Sequence, residues 1–420
     1  MSDLEVKART DRAALSRDRL RGRLLVGQSG GPAVVINSAL VGVIHEALGY
    51  PEIEAIYGMR HGILGALRED FCDLGREDAA TIEGLRYTPS AALGTGRYRL
   101  TPTDYDRVLQ VFRAHNIRYF CYVGGSDSMG TARRIDMLAR DVGYELRVVG
   151  VPKTVDNDLT HTDHCPGYGS AARFVALMLR DAGLDTITAA LSTPVRIVEI
   201  MGRRVGWLAA AAALAREGRE EAPPDLIYVP ERPFSIDRFL ADVRQVYQER
   251  GYCVVALSEG VRDEHGNLVA SLIGDSDAFG HQQLGGASAY LGQLVDSELG
   301  LGCRFERSHT MQCSMMLCAS PVDLGEAYTV GRMAVHKMTK GVSGKMVSLI
   351  RAPGPAYYCV TGLVDLELVT EAERPLSAEY LDERGHPTAA FVDYALPLIG
   401  APLPPYRHLL GYAVPRRLGD

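Results

Sequence analysis

The 420-residue sequence predicts an α/β protein of two wound lobes with largely parallel sheets and a ligand cleft at the carboxyl ends of the strands. Three observations carry that prediction. Short apolar runs alternate with segments of helical period, the pattern of βαβ units. Most of these runs end on glycines or polar residues, where open parallel sheets bind ligands. The length corresponds to two domains at roughly 100–200 residues each.

The elements follow in order. Leu24–Gly27 reads as a buried strand ending at Gln28-Ser29-Gly30-Gly31, and Val34 to Leu48 carries Val35, Leu40, Val43, Ile44 and Leu48 at helical spacing. Tyr119–Val123 is a second strand, closed by Gly124-Gly125, with a helix from Ser128. Arg147–Val151 is a third, ending at Pro152-Lys153. Further strands are expected at 196–200, 226–229 and 253–257. The first 23 residues alternate in charge sign and read as a solvated arm.

Composition removes several classes of function. Forty-six per cent hydrophobic and 23% charged residues are ordinary for a soluble enzyme and argue against disorder. A net charge of -7, with basic residues clustered only near the N-terminus, argues against a nucleic-acid partner. No apolar run is long enough to span a membrane, and the N-terminus lacks the apolar core of a secretory signal. The eight cysteines are scattered with no C-x-x-C, as expected of free thiols in a cytoplasmic protein.

Candidate chemistry lies at two glycine turns and one acidic turn. Gly30-Gly31 and Gly124-Gly125 each sit between a strand and a helix, where the backbone can approach a phosphate and the helix N-terminus offers N–H donors. Two such turns in one chain favour a polyphosphate ligand. There is no G-x-x-x-x-G-K-[ST] and no complete G-x-G-x-x-G after a strand, so neither a P-loop nor a dinucleotide site is supported. Pro152-Lys153-Thr154-Val155-Asp156-Asn157-Asp158 places a lysine, a hydroxyl and two carboxylates on one turn. The lysine can hold a phosphate, one carboxylate can accept a hydroxyl proton, and the other can orient it or bind metal. That set fits phosphoryl transfer to an alcohol.

These motifs resemble the phosphofructokinase family, pyrophosphate-dependent branch. The resemblance extends to Leu93-Gly94-Thr95-Gly96-Arg97-Tyr98-Arg99-Leu100, Gly124-Gly125-Ser126-Asp127-Ser128, Thr162–Ser170, Met201-Gly202-Arg203, Ser258-Glu259-Gly260 and 279–286, in the family's order from about residue 24 to about 350. It implies a phosphofructokinase-like fold and reversible phosphoryl transfer from Mg²⁺-pyrophosphate to the 1-hydroxyl of fructose 6-phosphate, a glycolytic step, in a homodimer or homotetramer. By position, Asp156 matches the base, with Lys153, Thr154 and Asp158 around the transferred group. Gly31, Arg97, Gly125, Asp127 and Ser128 match the donor cradle. Met201, Gly202, Arg203 and Glu259 match the acceptor site. Asp127 and Ser126 are the candidate metal contacts. ATP-dependent members resemble GGDGS and PGTIDND; Asp127 here puts charge and bulk where a nucleotide's α-phosphate would lie, and Lys153 supplies a cation where pyrophosphate ends.

Three basic positions of the family's 6-phosphate pocket are changed: Cys313, Leu317 and Pro194 stand there instead. Each lost contact costs about 1.5–3 kcal/mol. Arg196, Arg204, Arg304, Arg307 or His309 are the residues available to compensate, with Arg307 and His309 reaching the pocket if the alignment shifts by one. The alternatives are the same chemistry on another acceptor, such as sulfofructose, an unphosphorylated ketose or a polyol, or a regulatory subunit on the same fold. The expected organisation is an arm over 1–23, a donor lobe over 24–165 with a return segment at about 280–345, and an acceptor lobe over 166–279 with a C-terminal segment, 346–420.

Overall fold

A computed structural model describes residues 20–96, 98–219, 221–269, 286–354, 356–407, 409, 414, 415 and 417. Two sheets organise them. The larger has seven strands in the order β11-β10-β5-β4-β1-β2-β3. These are β1 Gly22–Gln28, β2 Ile53–Met59, β3 Phe71–Asp73, β4 Ile117–Gly124, β5 Arg147–Pro152, β10 Lys345–Arg351 and β11 Cys359–Asp365. The β2-β1-β4-β5-β10 block is parallel, and β3 and β11 close the edges antiparallel. The smaller sheet is wholly parallel, β7-β8-β6-β9: β6 Val195–Ile200, β7 Leu226–Tyr228, β8 Cys253–Ser258 and β9 Cys303–Arg307.

The strands read from apolar runs are buried on both faces, as central parallel strands must be; β4 and β6 are almost wholly buried along their length. In the large sheet the winding reverses between β1 and β4. That reversal opens a crevice at their carboxyl ends, where Ser29–Gly31 and Gly124-Gly125 lie. In the small sheet the register pairs Ile200 with Ser258, so Met201 and Glu259 emerge side by side. The two strand-end clusters face one cleft.

Helix Ile36–Ala47 packs directly against helix Pro321–Thr339 on one face of the large sheet. Gly42 and Gly331 permit it, because a Cβ on either would run into a backbone carbonyl of the other helix, at Tyr328 and Ala39. Any larger residue forces the helices apart and costs core packing on the order of 1–3 kcal/mol.

The expected lobe boundaries need correction. β9, inside the expected return segment, belongs to the small sheet, and the chain rejoins the large lobe with helix Pro321–Thr339. Residues 346–365, expected in the acceptor lobe, carry most of β10 and all of β11 of the large sheet. The reason is coverage. β5 is buried, so it needs a neighbour, and β10 with Met346, Val347 and Leu349 supplies both the hydrogen bonds and the apolar contact. Only the later part, with Leu376, Phe391, Leu398 and Leu403, packs into the small lobe's core. All eight cysteines are free thiols. Among the described residues no helix is long and apolar enough to cross a membrane.

Candidate active site

One wall of the cleft is built from the ends of β1, β4 and β5. Gln28, fully buried, donates to Asn37 Oδ1 (2.9 Å) and accepts from the Leu93 amide (2.9 Å), tying the Ser29–Val35 turn to the loop that carries Gly94 and Gly96. Lys153 reaches under the same turn. Its Nζ donates to the carbonyls of Ser29 (3.0 Å) and Gly31 (2.7 Å). Gly30 makes this possible: its φ is +79°, and an added Cβ would sit 3.3 Å from that amine. Burial lowers the lysine to about 8, against the opposing pull of Cys313, Asp156 and Asp158. Beyond Gly125, helix Ser126–Asp141 opens towards the cleft, with Asp127 exposed in its first turn and Ser128 buried beneath.

The acidic turn forms the floor. Its central residue, Asn157, is left-handed at φ 60° and fully buried. Its amide donates to Tyr394 Oη (2.9 Å) and its Oδ1 accepts from the Cys165 amide (2.9 Å), which holds the inverted conformation. Asp156 and Asp158 flank that inversion and both line the cleft. One oxygen of each, Oδ1, is buried without a hydrogen-bond partner. Burial, reinforced by the charges of Asp158 and Glu259, raises Asp156 to about 7; Arg203 and Lys153 only partly offset it. Asp158 is raised too, by burial, with the Thr154 hydroxyl opposing.

The opposite wall comes from the small sheet. Gln312 accepts from the Met201 amide (3.1 Å), and Ser258 Oγ donates to the Gly202 carbonyl (2.8 Å). Glu259 accepts weakly from the Gly202 amide (3.4 Å) and is raised by burial, against the opposing effects of that amide and Arg203. His309, Thr310 and Cys313 complete this side.

The result is a cavity of about 400 Å³. It collects Gly31, Gly125, Ser126, Asp127, Ser128, Lys153, Thr154, Asp156, Asp158, Met201, Arg203, Glu259 and His309 from the expected set. Gly202 stands behind it. Arg97 and 279–285 lie outside the described residues. Arg307 does not line the cavity: its Nε meets Glu199 (3.2 Å), a buried β6 carboxylate that also accepts from the Ser288 amide (2.9 Å) at the start of helix Ala287–Leu299. Arg196 and Arg304 are likewise turned to Asp185, on another face. Leu317 is 96% exposed and outside the cavity, whereas Cys313 lines it with its thiol raised by burial to about 12. Sequence reading missed Glu373, which lines the cavity and pairs with Arg204 (2.6 Å). Its local sequence, TEAERPLS, carries only the signals of a surface turn.

The phosphofructokinase family model matches residues 23–304. The chain belongs to the phosphofructokinase family. It is 42% identical over 413 residues to a pyrophosphate–fructose 6-phosphate 1-phosphotransferase of Xanthomonas campestris, covering 94% of this chain and 98% of that one. A sulfofructose kinase of Alkalicoccus urumqiensis is 36% identical, covering 86% and 92%. The crystal structure of a pyrophosphate-dependent phosphofructokinase from Nitrosospira multiformis superimposes with a TM-score of 0.83 at 35% identity, over 94% of this chain and 98% of that chain. As a phosphofructokinase relative, the protein is a phosphotransferase with the α/β architecture expected from its strand pattern.

Proposed function

We propose that this phosphofructokinase-family enzyme moves a phosphoryl group reversibly from pyrophosphate to the 1-hydroxyl of fructose 6-phosphate. One observation carries the reading: Asp156, buried with a free Oδ1 and raised to about 7, lies in one cavity between the Lys153 turn and the Glu259–Arg203 wall. A carboxylate of that acidity suits proton transfer near neutral pH. Glu259 and Arg203 hold the sugar. Asp156 takes the hydroxyl proton as the sugar oxygen bonds to phosphorus; the bridging P–O bond breaks and phosphate leaves. Lys153 uses two N–H groups on the Ser29 and Gly31 carbonyls, and its charge faces the donor. Asp127 at the cavity mouth opposes a nucleotide's further phosphate.

The oxygen donors also fit Mg²⁺. Asp158 Oδ1 lacks a partner, and Asp127 and Ser126 present oxygens to the same cavity, the hard ligands this ion takes. Bound there, Mg²⁺ neutralises charge on the phosphoryl oxygens. Free thiols and the exposed edge of β9, with Phe305 half exposed, support a cytoplasmic homodimer or homotetramer.

The test is steady-state turnover of the purified chain with Mg²⁺-pyrophosphate and fructose 6-phosphate, following the bisphosphate. A KM between about 1 μM and 1 mM is expected. The neutral Cys313 and the engaged Arg307 favour a second reading, in which the acceptor carries a sulfonate or no charge at carbon 6. Turnover of sulfofructose or fructose but not of fructose 6-phosphate selects it. Failure with every acceptor overturns both readings and leaves a regulatory subunit.

A further inference from the structure

Arg374 lies beyond the residues matched by the family model and contributes nothing to the cavity lining. Its guanidinium nonetheless directs four of its five hydrogen bonds at the loop that carries the acidic turn. Nε and Nη2 donate to the Asn157 carbonyl (3.1 and 3.0 Å). Nη1 donates to the Thr162 carbonyl (3.0 Å) and to that of Asp163, and Nη2 also meets Tyr394 Oη (3.4 Å). The backbone joins in: the Arg374 amide donates to the Asp158 carbonyl (2.7 Å). The guanidinium lies over the Trp207 ring, 4.5 Å from its centroid, and Trp207 Nε1 donates to the Arg374 carbonyl (3.0 Å).

This arrangement spans the loop. It clamps the inverted residue between Asp156 and Asp158 and ties it to Thr162 and Asp163 at the far end. A left-handed asparagine is strained on its own, by about 1 kcal/mol or more, and keeps its conformation only when its surroundings over-determine it. Two N–H groups on the Asn157 carbonyl fix that peptide plane, and the plane fixes where the neighbouring carboxylates point. Trp207 sits four residues after Arg203, so the same contact joins the acidic turn to the acceptor wall.

We infer that Arg374 is a positioning residue for the phosphotransfer step: its fork sets the Asp156 and Asp158 carboxylates in register with the acceptor segment 201–207. The inference rests on the phosphotransfer reading above. Lysine cannot substitute, because one ammonium has no planar fork to span three carbonyls.

The test compares Arg374→Ala and Arg374→Lys with the unaltered enzyme on Mg²⁺-pyrophosphate and fructose 6-phosphate. The expected result is a fall in kcat of about 100-fold for alanine, the cost of misplacing a reacting group by about 1 Å. KM for pyrophosphate stays within about threefold, since the donor turn is untouched. Added guanidinium ion at millimolar concentration restores part of the alanine variant's kcat, and lysine stays well below the unaltered enzyme. A role confined to stability lowers the melting temperature and leaves kcat per folded site unchanged. Hydrogen exchange over 154–164 gives an independent readout. It accelerates by more than about tenfold in Arg374→Ala. It stays unchanged in Arg173→Ala, whose side chain caps the Ile399 and Pro402 carbonyls instead. If the unaltered enzyme turns over no acceptor, the phosphotransfer reading falls and hydrogen exchange still decides whether Arg374 holds the turn. A kcat within about threefold of normal, or unchanged exchange in the loop, overturns the inference.

Discussion

Replacing Asp156 with asparagine should slow the enzyme and stabilise it at once. The kinetic half follows from its proposed role: removing a general base costs about 10²–10⁴-fold in kcat. The thermodynamic half follows from burial. A carboxyl raised from 3.8 to about 7 is ionised in the folded chain at a cost of up to about 4 kcal/mol. The sign is that of a raised acid: folding takes up a proton, so stability is lost as pH rises from about 4 to about 7 and is level above. The amide has no charge to bury. It does keep a polar group near a position with no partner, which returns about 1–3 kcal/mol of that gain. The net expectation at pH 8 is a stabilisation of about 1–3 kcal/mol, and a melting temperature higher by a few degrees. Calorimetry of Asp156→Asn and the unaltered chain without Mg²⁺, at pH 5 and pH 8, reads it directly. The gap between the two proteins should be wider at pH 8. Near-normal turnover, or a variant that melts lower at both pH values, would refute the reasoning.

Lys153→Gly removes two charged hydrogen bonds to the Ser29–Gly31 turn as well as the cation proposed to face the donor, so KM for pyrophosphate should rise by at least about 10-fold; combined with Asp127→Gly it should admit ATP, and steady-state kinetics with both donors checks this. His164 is buried between Asp163 (2.8 Å) and Glu326 (2.7 Å); burial opposes its charge, but those two carboxylates outweigh it and hold its pKa above 6.5. Its contribution to stability is therefore complete below about pH 6.5 and disappears as pH rises through the folded-state value. His164→Gln should flatten that part of the denaturation profile. Cys313→Arg should improve the KM for fructose 6-phosphate, because residue 313 lines the cavity, whereas Leu317→His should change nothing, because Leu317 is exposed outside it. Kinetics of the two single variants separates the positions.

Strand–turn–helix units were readable one at a time. Leu24–Gly31 and Tyr119–Gly125 announce a buried strand and a phosphate-sized turn through residues adjacent in the chain, and both occur as read. The acidic turn was legible for the same reason, since lysine, hydroxyl and carboxylates lie within six positions. Strands β10 and β11 escaped, because assigning them requires knowing that β5 still lacked a neighbour. Glu373 escaped because its significance comes from Arg204, 169 positions away along the chain.

The chain's local chemistry was enough to establish the α/β class and the family and to nominate the reacting groups, because each is written in residues a few positions apart. The folded arrangement was needed for everything that depends on encounters between distant segments. It turned Arg307 to Glu199 and away from the cavity, and kept Cys313 while excluding Leu317. It buried Asp156 and brought Glu259 towards it, and so raised that residue's pKa. Charge, desolvation and hydrogen-bond satisfaction act through space, and sequence spacing records none of the distances on which they depend.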